Sequence, residues 1–129
     1  MLACALAWLG LAIAIVPFQH FLAELRRPLY ATATTVRDDA AGRPCAIAAN
    51  VAPQLIWATH CEVIIAKTAP SLREPWPAIA RVKYVVSVPH AVVSAIQLQA
   101  VAATAHAAPH ELAVASPGSP EARAWRLDP

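Results

Sequence analysis

Glycine is scarce in this chain, whereas proline is abundant. The 129 residues contain 3 glycines and 12 prolines. So few glycines exclude the glycine-rich loops that hold phosphate groups and dinucleotides, because those loops need several glycines at fixed spacing. Prolines spread along the whole chain interrupt helices and strands. The composition therefore argues against both a long uninterrupted helical bundle and a many-stranded sheet.

Charged side chains are also few. They make up 14% of the residues and apolar ones 58%, and the net charge is +2. An average globular chain has about 25% charged and about 45–50% apolar residues. The only adjacent basic pair is Arg26–Arg27, and such weak, scattered positive charge excludes an electrostatic surface for nucleic acid. The composition favours a membrane segment or a very dry core.

The sequence contains no complete catalytic or metal-binding motif. His60 and Glu62 have the His-x-Glu spacing of zinc-dependent nucleobase deaminases, in which a later Pro-Cys-x-x-Cys motif supplies the other ligands. No cysteine follows Cys61 here, so the match ends at two positions. Zinc also accepts mixed sets of cysteine and histidine, but nothing in the spacing of Cys45, Cys61 and His90 requires a metal. We assign no catalytic, cofactor-binding or metal-binding residue and expect no cofactor.

The distinctive feature of the sequence is its first 27 residues. No charged side chain precedes Glu24, and residues 2–22 are almost entirely apolar. As a helix, about 20 such residues span the roughly 30 Å hydrocarbon layer of a bilayer. Residues 1–27 are therefore interpreted as a membrane-spanning helix or signal-anchor that contacts lipid through residues 2–22. Because basic residues favour the cytoplasmic side, Arg26 and Arg27 predict a single-pass protein whose C-terminal part is cytoplasmic.

Two other interpretations of this segment stay open, a cleaved signal and the core helix of a soluble protein. A signal peptide needs a basic start and a small-x-small cleavage site just after its apolar stretch. The nearest such site, Ala31-Thr32-Ala33, lies well downstream, so cleavage is the weaker reading. The cysteines depend on the answer, since disulfides form in oxidising compartments. A secreted domain could bond Cys45 to Cys61, whereas a cytosolic body would keep both as free thiols.

Beyond the first segment the chain divides by composition. Residues 28–45 read as a linker, because Pro28 is expected to stop the helix and Gly42 can take a positive φ in a turn. Residues 46–108 form the predicted compact body, which is rich in alanine and valine. Residues 109–129 have little apolar surface to offset ordering entropy and are predicted to be a flexible, disordered tail.

Residue patterns within the body predict its helices and strands. The segment between Pro53 and Thr68 fits a helix slightly better than a strand, because it is long for a strand. Residues 81–88 alternate apolar and polar side chains and predict a strand. Residues 90–108 predict an alanine-rich helix, and residues 70–80 a loop. The fold class is thus α+β or mostly α.

The functional interpretation follows from these elements alone. The favoured reading is a small membrane protein with a non-enzymatic interaction role, in which a protein partner is allowed but not identified. A secreted domain with a Cys45–Cys61 disulfide is one alternative, and a metal-dependent enzyme that uses His60 and Glu62 is another. A third alternative is a translated GC-rich frame with no selected function, in which local signals would not agree with a common core.

Overall fold

The computed structural model describes residues 2–66, 78–115 and 119–129. Parts of the predicted body (67–77) and of the predicted tail (116–118) lie outside these ranges. Within them the chain forms three α-helices, one short 3-10 helix (Ile79–Arg81) and five strands. In chain order these are α1 (Leu2–Ala40), β1 (Ala46–Ala49), α2 (Pro53–Thr59), β2 (Glu62–Ile65), β3 (Tyr84–Ser87), α3 (Ala95–Thr104), β4 (Ala108–Leu112) and β5 (Arg123–Asp128).

Helix α1 is continuous through both of its prolines, Pro17 and Pro28. The predicted helix end at Pro28 and the predicted linker over residues 28–45 are therefore wrong as far as Ala40. A proline inside a helix costs about 3 kcal/mol, but from Pro28 onward α1 buries one face against the sheet, and this burial offsets the cost. The buried residues of α1 are Pro28, Leu29, Thr32, Ala33, Val36 and Ala40.

The turn after α1 has the predicted chemistry. Gly42 takes a φ of 76°, which a glycine adopts without steric strain. Arg43 closes the helix end, since its Nε donates to the carbonyl of Ala40 at 3.0 Å and its guanidinium to the carbonyl of Asp39 at 3.1 Å. The linker thus shortens to the few residues that lead into β1.

The five strands form one mixed sheet in the order β2-β1-β3-β5-β4. Strands β1, β2 and β3 are parallel, whereas β5 is antiparallel to both β3 and β4. The chain is therefore mixed α+β, with a long apolar N-terminal helix and a small body that contains a sheet. The mostly α alternative does not describe it.

Both faces of the sheet are covered. On one face α1 and α2 pack on Ile47, Ala49 and Val86. On the other face α3 and the 3-10 helix pack on Ala48 and Val85, and Trp125 of β5 joins this second cluster. A central strand buried on both faces reads as a continuous apolar run rather than as an alternation, and all four residues of β1 are buried.

Because the sheet is buried on both faces, some predictions for residues 46–108 are confirmed and others are wrong. The strand predicted over 81–88 is confirmed as β3 from Tyr84 to Ser87, whereas Arg81 belongs to the 3-10 helix. Arg81 and Lys83 of the expected polar face are exposed, but Ser87 is buried, where its hydroxyl accepts from the N–H of Val93. The helix predicted between Pro53 and Thr68 is wrong beyond Thr59. Pro53 does begin a helix, as expected, but that helix has seven residues and the chain then returns as β2. In β2 two apolar residues, Ile64 and Ile65, are adjacent, so periodicity alone does not distinguish this strand from a helical segment.

The helix predicted over 90–108 begins later, at Ala95. Ser94 caps it, since its hydroxyl accepts from the backbone N–H of Gln97 and the Gln97 side chain accepts from the N–H of Ser94. Such a capping box satisfies two backbone donors at a helix start. The residues before Ala95 are not helical. They include a turn in which His90 lies in the left-handed region with a φ of 66°.

The predicted disordered tail over 109–129 is wrong for most of its length. Strand β5 lies between β3 and β4 in the sheet, and Trp125 is only 6% exposed. Trp125 and Leu127 enter one core cluster while Ala124 enters the other. The six residues of β5 bury enough apolar surface to be ordered because helices cover both faces of the sheet. The composition of residues 109–129 does not show that these helices will cover the strand.

Candidate functional site

Helix α1 has two halves in different surroundings. Every large apolar side chain from Leu2 to Phe21 is exposed, whereas the half from Pro28 to Ala40 packs on the sheet. Among the described helices, α1 alone is long and apolar enough to cross a membrane, with a mean hydropathy of 2.0 in its most apolar 18-residue window and none of that window buried. A signal sequence near the N-terminus can meet the same criteria of length and hydropathy.

The direction of α1 defines two edges of the sheet. Its last turn contacts the start of β3, where the Tyr84 hydroxyl donates to Asp39 at 2.7 Å. Leu25 and Leu29 instead lie near the segments that follow β1 and β3. The exposed half of α1 therefore approaches the body at the edge formed by the carboxyl ends of the parallel strands, which we call the carboxyl edge.

The carboxyl edge includes a topological switch point. The chain leaves β1 for β2 on one side, while β3 lies on the other side of β1. The two outgoing connections thus separate and leave a gap between the carboxyl ends of β1 and β3. In open α/β sheets, ligands bind in this gap.

A crevice of about 410 Å³ occupies this position. Its volume lies within the roughly 300–1,000 Å³ of small-molecule sites, and its lining is mostly apolar. We call it the carboxyl-edge crevice. The residues that line it are Leu25, Arg26, Leu29, Asn50, Val51, Gln54, Val88, Pro89, His90 and Ala91.

Three polar side chains of the carboxyl-edge crevice are exposed, namely Arg26, Gln54 and His90. Within the described part of the chain, none of the three has a side-chain hydrogen bond or an ion pair. The neighbouring Arg27 differs, because it pairs with Glu24 at 3.2 Å and does not line the crevice. The crevice thus offers a guanidinium, an amide and an imidazole that are free to bind a ligand.

Asn50 fastens the crevice to the β3–α3 connection. Its Nδ2 donates to the carbonyl of Val92 at 2.8 Å and more weakly to Gln97 Oε1 at 3.4 Å. Both partners are acceptors, so the amide nitrogen must face them. Its Oδ1 is then shielded from solvent and has no hydrogen-bond partner among the described residues. Buried polar atoms of this kind are rare and concentrate where a ligand or water binds.

A second polar cluster lies at the opposite edge of the sheet. Asp39 accepts from Tyr84 and from Arg126, the latter at 3.0 Å, and Arg126 also binds Asp128 at 2.8 Å. Burial, followed by the hydrogen bond to the Asp39 carboxylate and its negative charge, raises the pKa of Tyr84 to about 12. The Arg126 guanidinium lowers the pKa of Asp128. Because every acid in this cluster is paired, it holds α1 on the sheet and leaves no group free for chemistry.

Cys45 and Cys61 form a disulfide, with their Cα atoms 4.9 Å apart. They directly precede β1 and β2, whose first residues Ala46 and Glu62 are paired in the parallel ladder. The sheet register itself therefore brings the two cysteines together. This is the pairing predicted for an oxidising compartment, not the pair of free thiols expected of a cytosolic body, and Cys4 is free and exposed on α1.

The residues weighed for a metal site do not converge. His60 ends α2 with a φ of 59°, and Glu62 pairs with Arg81 at 3.3 Å. The two cysteines bond to each other, so neither is a thiolate ligand. In the described ranges no three His, Cys, Asp or Glu side chains are grouped as metal ligands. His90 belongs to the carboxyl-edge crevice instead, which sequence reasoning did not identify as a site.

Comparison with known proteins adds no further constraint. No protein-family model matches the chain, and neither the curated proteins nor the solved structures include a significant match. The features of this chain that bear on its function are the two halves of α1, the Cys45–Cys61 disulfide and the carboxyl-edge crevice.

Proposed function

We propose that this chain is a single-span, membrane-anchored protein whose α/β body has a non-enzymatic binding role at the membrane surface. One observation carries the proposal, the change of surroundings along α1. Ten or more exposed large apolar side chains in water are unfavourable, at about 25 cal/mol per Å². In a bilayer the same side chains are in their preferred solvent. The rigid continuation of α1 onto the sheet then places the body directly against the membrane.

Retention of the apolar segment is supported by the core. Cleavage after Ala33 would remove Leu29, Thr32 and Ala33, all of which are buried between α1 and the sheet. The body would lose part of one helix that covers its sheet. A secreted form that keeps its core therefore requires cleavage upstream of Pro28, where the sequence has no good small-x-small site close to the body.

The disulfide supports a body on the oxidising side of the membrane. Disulfides persist in extracytoplasmic compartments and are rare in the cytosol. The basic pair Arg26–Arg27 favours the opposite orientation. We weight the disulfide more heavily, because the sheet register pairs the two cysteines directly, and such bonds form and persist in oxidising compartments. The proposal thus reverses the cytoplasmic placement that the basic pair predicts.

The binding role is supported by the carboxyl-edge crevice. It combines a mostly apolar lining with unpaired polar groups from three segments of the chain. It has no paired acid and base and no activated nucleophile of the kind that catalysis requires. Capture of a ligand or partner at the membrane surface is therefore the role that this geometry supports best.

Membrane extraction and thiol labelling test this proposal together. In a Cys4→Ser variant, Cys45 and Cys61 are the only cysteines. We expect this variant to stay in the membrane pellet after an alkaline wash. In intact cells, a membrane-impermeant maleimide should label the body only after reduction. The matched control is Cys4→Ser combined with Cys61→Ser, which leaves the partly exposed Cys45 unpaired and should react from outside without reductant.

Two results would contradict the proposal. Recovery of the intact chain in the high-speed supernatant without detergent would remove the anchor. Labelling of both cysteines only after cell lysis, without any reductant, would place the body in the cytosol.

A further inference from the structure

We propose that the carboxyl-edge crevice binds the anionic headgroup of a membrane phospholipid. This inference rests on the proposed membrane anchoring, and it names the ligand class of the same site. The location of the crevice favours a lipid as the ligand. The unpaired Arg26 favours a phosphate-bearing headgroup, and hydrogen bonds that fix the crevice lining favour a single binding position.

The crevice lies at headgroup depth. If residues 2–22 span the hydrocarbon layer, Leu25, Arg26 and Leu29 follow about 5–10 Å beyond its boundary along α1, at 1.5 Å per residue. The headgroup layer of a bilayer is about 5–8 Å thick on each side. The wall of the crevice that α1 contributes therefore lies within or directly above the headgroups of the surrounding lipids.

The surface around the crevice is suited to lipid contact. Val92 and Ile96 follow β3 at the same carboxyl edge, and their side chains are 48% and 78% exposed. Ile96 lies in the first turn of α3, next to the Ser94 cap. Apolar side chains at the level of the membrane interface gain by contact with lipid. Their exposure at this edge is explained if the edge faces the bilayer.

The chemistry of the crevice matches a phosphodiester. Arg26 carries a permanent positive charge and has no acidic partner among the described residues, and guanidinium groups bind phosphate oxygens in a bidentate geometry. His90 and Gln54 add hydrogen-bond donors on the facing wall. The apolar side chains of Leu25, Leu29 and Val51 are left to contact the glycerol and the first acyl carbons.

Hydrogen bonds fix the β3–α3 connection, which forms one side of the crevice. Asn50 holds the carbonyl of Val92, and the backbone N–H of Val93 donates to Ser87 Oγ at 3.0 Å. The left-handed conformation of His90 projects its imidazole from this braced connection. Binding groups held in place lose less conformational entropy when the ligand arrives, so the crevice should discriminate among headgroups instead of attracting anions in general.

The test measures lipid selectivity of the full-length chain in detergent micelles. Native mass spectrometry with equimolar phosphatidylglycerol and phosphatidylcholine reports how many lipids of each kind remain bound. We expect preferential retention of phosphatidylglycerol. Arg26→Gln should reduce its affinity by about tenfold or more, since hydrogen bonds to charged groups are among the strong ones. His90→Gln should reduce it by a smaller factor.

Matched controls separate the crevice from general electrostatics. Arg27→Gln removes the same charge from the next residue of α1, outside the crevice. His106→Gln replaces a histidine that also has a left-handed backbone, with a φ of 52°, and is remote from the crevice. Both controls should bind phosphatidylglycerol within about twofold of the unmodified chain. The Cys45–Cys61 disulfide and the thermal transition verify that each variant is folded.

Two outcomes overturn the headgroup proposal while the membrane anchor stands. Equal loss of affinity in Arg26→Gln and Arg27→Gln would show attraction to surface charge without a site. Full displacement of the lipid by an equal concentration of free glycerol 3-phosphate would show that the crevice binds a soluble phosphate compound. Failure of the anchor is measured separately, by release of the chain into the alkaline supernatant.

Discussion

At the scale of single residues, buried side chains at both edges of the sheet attach α1 to the body. Thr32 is fully buried and donates to the carbonyl of Leu29 at 2.8 Å, so it satisfies its own hydroxyl within the helix. Tyr84 donates instead across the fold, to Asp39 near the end of α1. The Tyr84 bond has the greater effect on tertiary structure, because it joins two elements that are far apart in sequence.

Tyr84→Phe tests this attachment. The variant keeps the ring but loses a hydrogen bond to a carboxylate, which should lower the free energy of unfolding at pH 7 by about 1–2 kcal/mol. The pKa of Tyr84 is raised to about 12 in the native state, so above pH 10 the unfolded state releases the proton first. The stability that Tyr84 contributes is therefore complete below pH 10 and is lost as the pH rises toward 12.

The measurement is chemical denaturation in detergent between pH 7 and pH 11. The difference in free energy of unfolding between the unmodified chain and Tyr84→Phe should decrease above pH 10 by roughly 1 kcal/mol per pH unit. Tyr30→Phe serves as the control, because Tyr30 is 52% exposed. A difference that stays constant up to pH 11 would be evidence against a perturbed phenol at Tyr84.

The disulfide gives a second prediction at this scale. Cys45 and Cys61 are separated by 16 residues, and removal of the bond by Cys45→Ala with Cys61→Ala should lower the free energy of unfolding by about 3 kcal/mol. A reductant should lower the melting temperature of the unmodified chain to a similar extent and leave that of the double variant unchanged. Cys4→Ala is the matched control and should have no effect, since Cys4 is exposed and free.

At the scale of elements, residues that begin or end a helix indicated element boundaries well. Hydrophobic periodicity was a poorer guide to whether a segment is a helix or a strand. Pro53 begins α2, Gly42 turns the chain after α1 and Ser94 starts α3. These signals act within one turn of the backbone, so their effect can be read locally. Pro28 is the exception, because tertiary burial of the following face of α1 overrides its tendency to end a helix.

Ser94→Ala tests the local contribution of the α3 cap. Loss of the capping box should lower the free energy of unfolding by about 1 kcal/mol. Thr104→Ala is a suitable control at the other end of the same helix, where the exposed hydroxyl only bonds back to the carbonyl of Ala100. Denaturant midpoints of the two variants should therefore differ, and equal midpoints would mean that α3 is held by packing alone.

At the scale of the whole molecule, α1 belongs to two structures at once. Its first half fits a bilayer by length and composition, and its second half is part of the α/β core. The two halves are one helix, so the proposed span and the body are coupled in orientation. Under the proposed anchoring, this coupling would hold the carboxyl-edge crevice at a defined height above the membrane.

Two deletions test this division of α1. Removal of residues 2–22 should leave a body that is monodisperse without detergent and that unfolds cooperatively, because no buried residue of α1 is lost. Removal of residues 2–33 takes away Leu29, Thr32 and Ala33, and should abolish the cooperative thermal transition. Circular dichroism and size-exclusion chromatography distinguish the two results. Equal cooperativity in both deletions would mean that this part of α1 contributes little to the core.

The candidate site itself was only partly accessible from the sequence. The sequence analysis considered His90 as a possible metal ligand and Arg26 as an indicator of membrane orientation. Nothing links them in the sequence, because 64 residues separate their positions. They meet only because β1 and β3 are adjacent and parallel and α1 runs antiparallel to both, and that adjacency depends on sheet pairing between distant segments.

The sequence by itself determined the long apolar helix, the β3 strand and the turn at Gly42, and it left the α+β and mostly α classes open. Each of these follows from short-range physics, namely residue hydropathy, β-branching and backbone preference. Only the tertiary structure decided that α1 continues past Pro28, that the C-terminal residues form β4 and β5, and that Cys45 meets Cys61. These outcomes depend on burial against partners that are distant in the chain, and a local pattern carries no record of which segment will cover it.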